Sequence, residues 1–255
     1  MKSISSYHYC YYYLFFTCII LYILYYSVEY SINAVEYMNT YNIKDDGFCM
    51  LYDPKYSLCE YIPDNYFKQN ILNKLPTGYQ FIDYSYKIKN TSLSTFHRDV
   101  TSSQKIYNTK YPIYTVIIYK YEGELLSLCS KSHKTYPFVT SPIINISGKS
   151  GTAFLFNCEI LHAGCQNNCM KREIIQYKIC HKDDLYKLNH LSGKHIVKED
   201  VCKISFINNS IRKLSYYFEL PINYIFYPLM IDRKNENTWI GKIQSYIPIS
   251  FYNNI

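Results

Sequence analysis

Three short stretches of this chain carry side chains able to do chemistry. The first is Phe96-His97-Arg98-Asp99. In extended backbone, residues i and i+2 point to the same side, so His97 and Asp99 can offer an imidazole nitrogen and a carboxylate oxygen to one ion. The second is Phe154-Leu155-Phe156-Asn157-Cys158-Glu159-Ile160-Leu161-His162-Ala163-Gly164, an apolar run that ends in a histidine followed by two small residues. The third is Lys171-Arg172-Glu173-Ile174-Ile175-Gln176-Tyr177, in which Arg172 opens a new strand-like run ten residues after His162. If 152–161 and 172–180 pair antiparallel, the intervening loop returns Arg172 to the neighbourhood of His162, because neighbouring strands lie about 4.8 Å apart. Taken singly, each has an ordinary reading: a surface or packed histidine, a turn aspartate, a solvated arginine at a strand end.

Two histidines and one carboxylate with open positions form the ligand set of non-haem Fe(II) oxygenases. Three protein ligands leave room for a bidentate 2-oxo acid and for O2. The far carboxylate of such an acid needs a fixed cation, and arginine binds carboxylates as a two-pronged fork. Arg172 is the residue placed for that role. At this point the chain resembles the Fe(II)/2-oxoglutarate-dependent dioxygenases, and within them the phytanoyl-CoA dioxygenase-like branch. The resemblance spans roughly 79–180. It rests on the three stretches above, on Tyr114-Thr115-Val116-Ile117-Ile118-Tyr119, on Gly123-Glu124-Leu125-Leu126 and on Ser130-Lys131-Ser132-His133-Lys134. It implies a double-stranded β-helix of the jelly-roll or cupin kind, with Fe(II) at His97, Asp99 and His162 and with 2-oxoglutarate held by Arg172. It implies oxidative decarboxylation of that acid by O2, giving succinate and CO2, coupled to hydroxylation of a small-molecule, lipid or peptidyl substrate. Many relatives carry Ser or Thr two residues after the arginine; here that position is Ile174, so a second co-substrate contact is expected from Tyr114 or Thr115. His133, in the segment shared with that branch, either lines the pocket mouth or serves packing.

The elements that must position these residues read as mainly β. Runs rich in Ile, Val, Tyr and Phe fall at Tyr79–Ile82, Ile113–Tyr121, Glu124–Cys129, Ile143–Ser147, Thr152–Asn157 and Arg172–Cys180, punctuated by Gly and Pro. That pattern predicts a sandwich or barrel with flanking helices rather than an α/β parallel sheet. Residues 30–78 read as irregular with a helical patch at Asp64–Leu75, and a second patch falls at Asp183–Leu191. The expected organisation is an N-terminal segment over 1–29 and one domain over 30–255, its core at about 79–180.

No acidic or basic residue lies between Lys2 and Glu29, and residues 9–28 are long enough for a transmembrane helix with tyrosines at both ends. The sequence-based expectation is a single-pass membrane anchor, with a cleaved signal peptide as the competing reading. A lumenal body would suit the sequons at Asn90, Asn145 and Asn208 and disulfides Cys49–Cys59 and Cys165–Cys169.

Composition excludes several classes. With 18% charged and 48% hydrophobic residues the chain is no disordered tail, collagen or coiled coil. Its 32 tyrosines among 255 residues go with abundant Ile, Asn and Lys, a compositional bias rather than a functional signal. The net charge of +7 is spread along the chain, so no nucleic-acid partner is expected. His97-Arg98-Asp99 superficially matches a kinase catalytic loop, but the position five residues after Asp99 is Gln104, and no glycine-rich loop accompanies it. A zinc site from Cys158, Cys165, Cys169, Cys180 and His181 lacks a second close pair. His181, His190 and His195 read as packing or surface residues. The non-enzyme alternative is a membrane-anchored β-barrel without catalysis, acting as a structural or binding protein.

Overall fold

The computed structural model describes residues 4–26, 29–89, 95–135, 141–165, 172–199, 212, 215 and 216. Ten strands form two sheets: β1 (Glu29–Asn33), β2 (Phe48–Tyr52), β3 (Tyr79–Lys89), β4 (Tyr114–Tyr119), β5 (Gly123–Leu128), β6 (Ile143–Gly148), β7 (Thr152–Asn157), β8 (His162–Gly164), β9 (Glu173–His181) and β10 (Lys194–Glu199). The smaller sheet runs β1-β6-β5-β8 and the larger β10-β3-β9-β4-β7-β2. Pairing is antiparallel except at β1–β6 and β10–β3.

The larger sheet is buried on both faces at its centre, which explains why β4 and β7 read as continuous apolar runs instead of alternating ones. One face meets the smaller sheet. Phe48, Met50, Ile117, Tyr119, Phe154, Phe156 and Ile174 from the larger sheet cluster there with Leu126, Leu128, Ile144 and Ile146 from the smaller one. The other face carries Val116, Ile118, Leu155, Ile175 and Tyr177 and is covered by helix α2 (Asn65–Leu72) through Phe67 and Ile71. Asp64 caps that helix by accepting a hydrogen bond from the Phe67 amide at 2.7 Å.

The β-rich body with flanking helical pieces agrees with expectation. Several boundaries do not. Residues 30–78 hold β1 and β2, which complete the two sheets, and β3 extends to Lys89. Its second half contains Ser85, Lys87 and two tyrosines and shows no apolar run, yet Tyr84, Ser85 and Tyr86 are buried. Residues Lys182–Leu188 form 3-10 helix rather than α-helix.

The expected anchor requires correction. A helix, α1, does form over Ile4–Tyr26, but no helix among the described residues is long and apolar enough to cross a membrane. Eight of its 23 residues are tyrosine, and their phenols dilute the apolar run. The expected disulfide Cys49–Cys59 is corrected too: both side chains lie in the core beneath α2 as free thiols. Cys165 is likewise a free thiol. Asn145 sits mid-strand in β6, where its amide donates to Glu29 at 2.7 Å and accepts from the Ser127 hydroxyl, so it is no open acceptor for a glycan. Cys169, Cys202 and the sequons at Asn90 and Asn208 lie outside the described residues.

Candidate metal centre

His97 joins the end of the smaller sheet. It pairs with His162 at the start of β8 through two backbone hydrogen bonds of 2.9 and 3.0 Å. Two residues on, the Asp99 amide donates to the Cys158 carbonyl at 2.9 Å. Between them Arg98 turns the other way and anchors its guanidinium on the carbonyls of Ser132, at 2.9 Å, and Glu159. The alternation of extended backbone thus delivers His97 and Asp99 to one side, as the spacing predicts.

His97, Asp99 and His162 each present one ligand atom, and the three atoms lie within 4.8 Å of one another. Among the described residues no other group of three or more His, Cys, Asp or Glu side chains comes together in this way. Both imidazoles are oriented by backbone: Nδ1 of His97 bonds the Thr95 carbonyl at 2.8 Å and Nδ1 of His162 the Ile160 carbonyl at 3.0 Å. A carbonyl oxygen only accepts, so the proton sits on Nδ1 and the Nε2 lone pair is left for an ion. The two rings lie 4.5 Å apart between centroids, and Phe156 backs His162 at 4.6 Å.

The electrostatics suit a cation. Burial pushes the His162 imidazole down to about 4, helped by the neighbouring His97, so the ring is neutral at pH 7. For Asp99 burial opposes ionisation, but Lys178 first and then His162 and His97 outweigh it, holding the carboxyl well below the usual range. Its Oδ1 stands 3.8 Å from Nε2 of His162. Because that imidazole is neutral, this is ligand spacing rather than an ion pair. Donors bonded to one ion at about 2.1 Å lie roughly 3 Å apart when adjacent, so an entering ion would draw the three groups slightly inward.

Behind Asp99 sits a group that the sequence does not announce. Lys178 on β9 is fully buried, and its amine donates to Asp99 Oδ2 and to Thr115 Oγ1, each at 2.7 Å. The Thr115 hydroxyl donates a hydrogen bond to the same Oδ2 at 2.5 Å. Thr115 is the register partner of both Phe156 and Lys178, so one row across β7, β4 and β9 supports the two ligands nearest the larger sheet. The signal was available only as a lysine at an inward position of a buried strand.

Arg172 is buried beside the site. His162 and Gly164 share one face of β8, and a Cβ built on Gly164 would lie 2.3 Å from a terminal nitrogen of Arg172. The absence of that side chain is what makes room for the guanidinium, whose carbon stands 6.0 Å from the centre of the Tyr119 ring. The expected direct pairing of 152–161 with 172–180 is corrected: β4 lies between β7 and β9, and Arg172 instead meets Gly164 of β8 from the other sheet. Two residues of extended chain, about 6.6 Å, separate His162 from Gly164, a span suited to a short dicarboxylic acid.

The expected second co-substrate contact is corrected. Tyr114 points to the opposite face of the larger sheet, against Tyr79 with ring centres 5.2 Å apart. Thr115 does face the site, but its hydroxyl is committed to Asp99 and Lys178. His133 has a packing role, stacked on Gly47, whose positive φ of 82° and lack of Cβ admit the ring. His181, His190 and His195 also pack, against Tyr111, against Tyr107 and on Ser85 respectively. Cys158, Cys165 and Cys180 are buried free thiols and assemble no zinc site among the described residues.

No family model and no curated protein matches the chain. Similar solved structures include EvdMO1, at 10% identity and a TM-score of 0.40 over 55% of this chain. They also include the non-heme alpha-ketoglutarate-dependent epimerase SnoN, at 10% and 0.38 over 58% of this chain and 83% of that one. HygX from Streptomyces hygroscopicus, with nickel and 2-oxoglutarate bound, matches at 12% and 0.40 over 55% of this chain and 84% of its own. The chain spans about half the length of EvdMO1, 49%. Likeness at this level does not assign a function, which rests on the side chains themselves.

Proposed function

We propose that this chain is an Fe(II)- and 2-oxoglutarate-dependent oxygenase. The observation that carries the reading is the convergence of His97, Asp99 and His162 at the end of the smaller sheet, with Arg172 buried at Gly164 beside them. The donor set fits Fe(II): two imidazoles whose Nδ1 atoms are taken up by backbone carbonyls, leaving Nε2 toward the site, and one carboxylate. When bound, the iron together with a 2-oxo acid and O2 supplies the oxidising chemistry. His97 and His162 bind through Nε2 and Asp99 through Oδ1. Arg172 holds the distal carboxylate of the acid as a fork, in a place walled by Tyr119 and Ile174. Phe154, Phe156 and Ile117 line the interior between the sheets and keep water from it. The finer reading is a hydroxylase, with release of succinate and CO2.

The test is anaerobic loading with Fe(II) and 2-oxoglutarate, followed by addition of O2 and measurement of succinate. The wild-type chain forms succinate, whereas His97→Ala and Asp99→Ala lose it by at least a hundredfold. Failure of the wild-type chain to bind Fe(II) or Mn(II) would instead favour the structural or binding barrel.

A further inference from the structure

The buried amine behind Asp99 has a consequence for how that carboxylate can serve an ion. A carboxylate can give one oxygen or both to a metal. Here Oδ2 accepts two hydrogen bonds, from Lys178 Nζ at 2.7 Å and Thr115 Oγ1 at 2.5 Å, while Oδ1 faces His162 Nε2 at 3.8 Å. Lys178 has no other carboxylate within ion-pair distance among the described residues. Its positive charge offsets that of Asp99, with which it forms an ion pair at 2.7 Å. The carboxylate ligand and its supporting amine thus sum to zero charge, where the carboxylate alone would carry −1. A divalent ion entering this site meets a cation just beyond its carboxylate ligand, and at such separations in a buried setting the repulsion is substantial.

We propose that Lys178 is a positioning residue that, with Thr115, confines Asp99 to ligation through Oδ1 alone and weakens the site's hold on divalent cations. The inference rests on the metal-centre reading above. The trade leaves the loaded centre more positive, which strengthens its grip on an anionic co-substrate.

Calorimetric titration with Co(II) tests it, using the full chain and the neutral variants Lys178→Met, of similar shape, and Lys178→Gln, which keeps a donor to Oδ2. Both variants should bind Co(II) at least tenfold more tightly than wild type. A lysine with only a structural role gives the opposite sign, because its loss would loosen Asp99 and weaken binding. Affinity that is unchanged or weaker in the variants overturns the proposal while leaving the metal centre intact. A wild-type chain that binds no Co(II) overturns the metal centre and this inference with it. Should neither variant fold, a crystal structure of the Co(II)-loaded wild-type protein decides. Oδ1 alone on the ion, with Lys178 still on Oδ2, supports the proposal; both oxygens on the ion, or a displaced amine, overturns it.

Discussion

Gly164 and Arg172 divide one task between them. The glycine contributes only an absence, into which the terminal nitrogens of Arg172 fit, since a Cβ there would stand 2.3 Å from one of them. Charge-assisted hydrogen bonds contribute about 1.5–3 kcal/mol each, so Arg172→Ala should raise the 2-oxoglutarate requirement by roughly ten- to a hundredfold. Gly164→Ala should do the same to a smaller degree. The atom in its way is the end of a flexible side chain, so the fold survives while the fork is displaced. Titrations of succinate formation against 2-oxoglutarate, run beside Co(II) binding, check both. If the acid requirement stays at the wild-type level in both variants, Arg172 has another role. A change confined to the acid and absent from the metal places the defect at the distal carboxylate.

Strands β3 and β9 and the β4–β5 connection are tied to the segment after Cys59 by a charged cluster. Lys87 on β3 reaches Glu60 at 3.1 Å and Glu173 at 2.8 Å, and Lys120 contacts the same two carboxylates. Hydrogen bonding from Lys120 holds the Glu60 carboxyl below its usual range. Burial works against ionisation of Glu173, but Lys87 and Lys120 outweigh it. A carboxyl whose folded value is depressed stabilises the fold above its unfolded value of about 4.3 and loses that contribution as pH falls through the depressed folded value. Glu60 is largely solvent-exposed, so screening limits each pair to at most about 1 kcal/mol. Melting temperature measured from pH 7 down to pH 3 should therefore fall more steeply for wild type than for Glu173→Gln. Parallel curves would show that the cluster contributes nothing.

At the scale of the whole molecule, a metal centre built between two sheets couples ion binding to folding. His97 and His162 close the edge of the smaller sheet, and Asp99 is tied through Lys178 and Thr115 to the middle of the larger one. An ion bound by all three holds the sheets together and is lost on unfolding. At a Co(II) concentration one hundred times its dissociation constant the folded state gains about 2.7 kcal/mol. For a chain of this size that raises Tm by roughly 5–11 °C. Thermal melts with Co(II), with Co(II) plus a chelator, and with the His162→Ala variant give this measurement. A shift that persists in the variant would place the ion elsewhere.

Sequence by itself determined the β-rich class, the pairing of His97 with Asp99 on one face, and the candidacy of His162 and Arg172. Those features depend on local periodicity and on residue types at short spacing, which the backbone carries unaided. It did not determine β1 and β2, because their pairing energy comes from distant partners: β1 from β6 and β2 from β7. Nor did it determine which face of β4 meets the metal-ligand cluster. That depended on the register of β4 with β7 and β9, which sent Tyr114 to the covered face and Thr115 to Asp99. Lys178 was illegible for the same reason: a lysine in an apolar run signals nothing until the segment facing it supplies the carboxylate. Burying a charge is costly without a partner, and only the tertiary structure, by packing two sheets face to face, decided that Asp99 would be that partner.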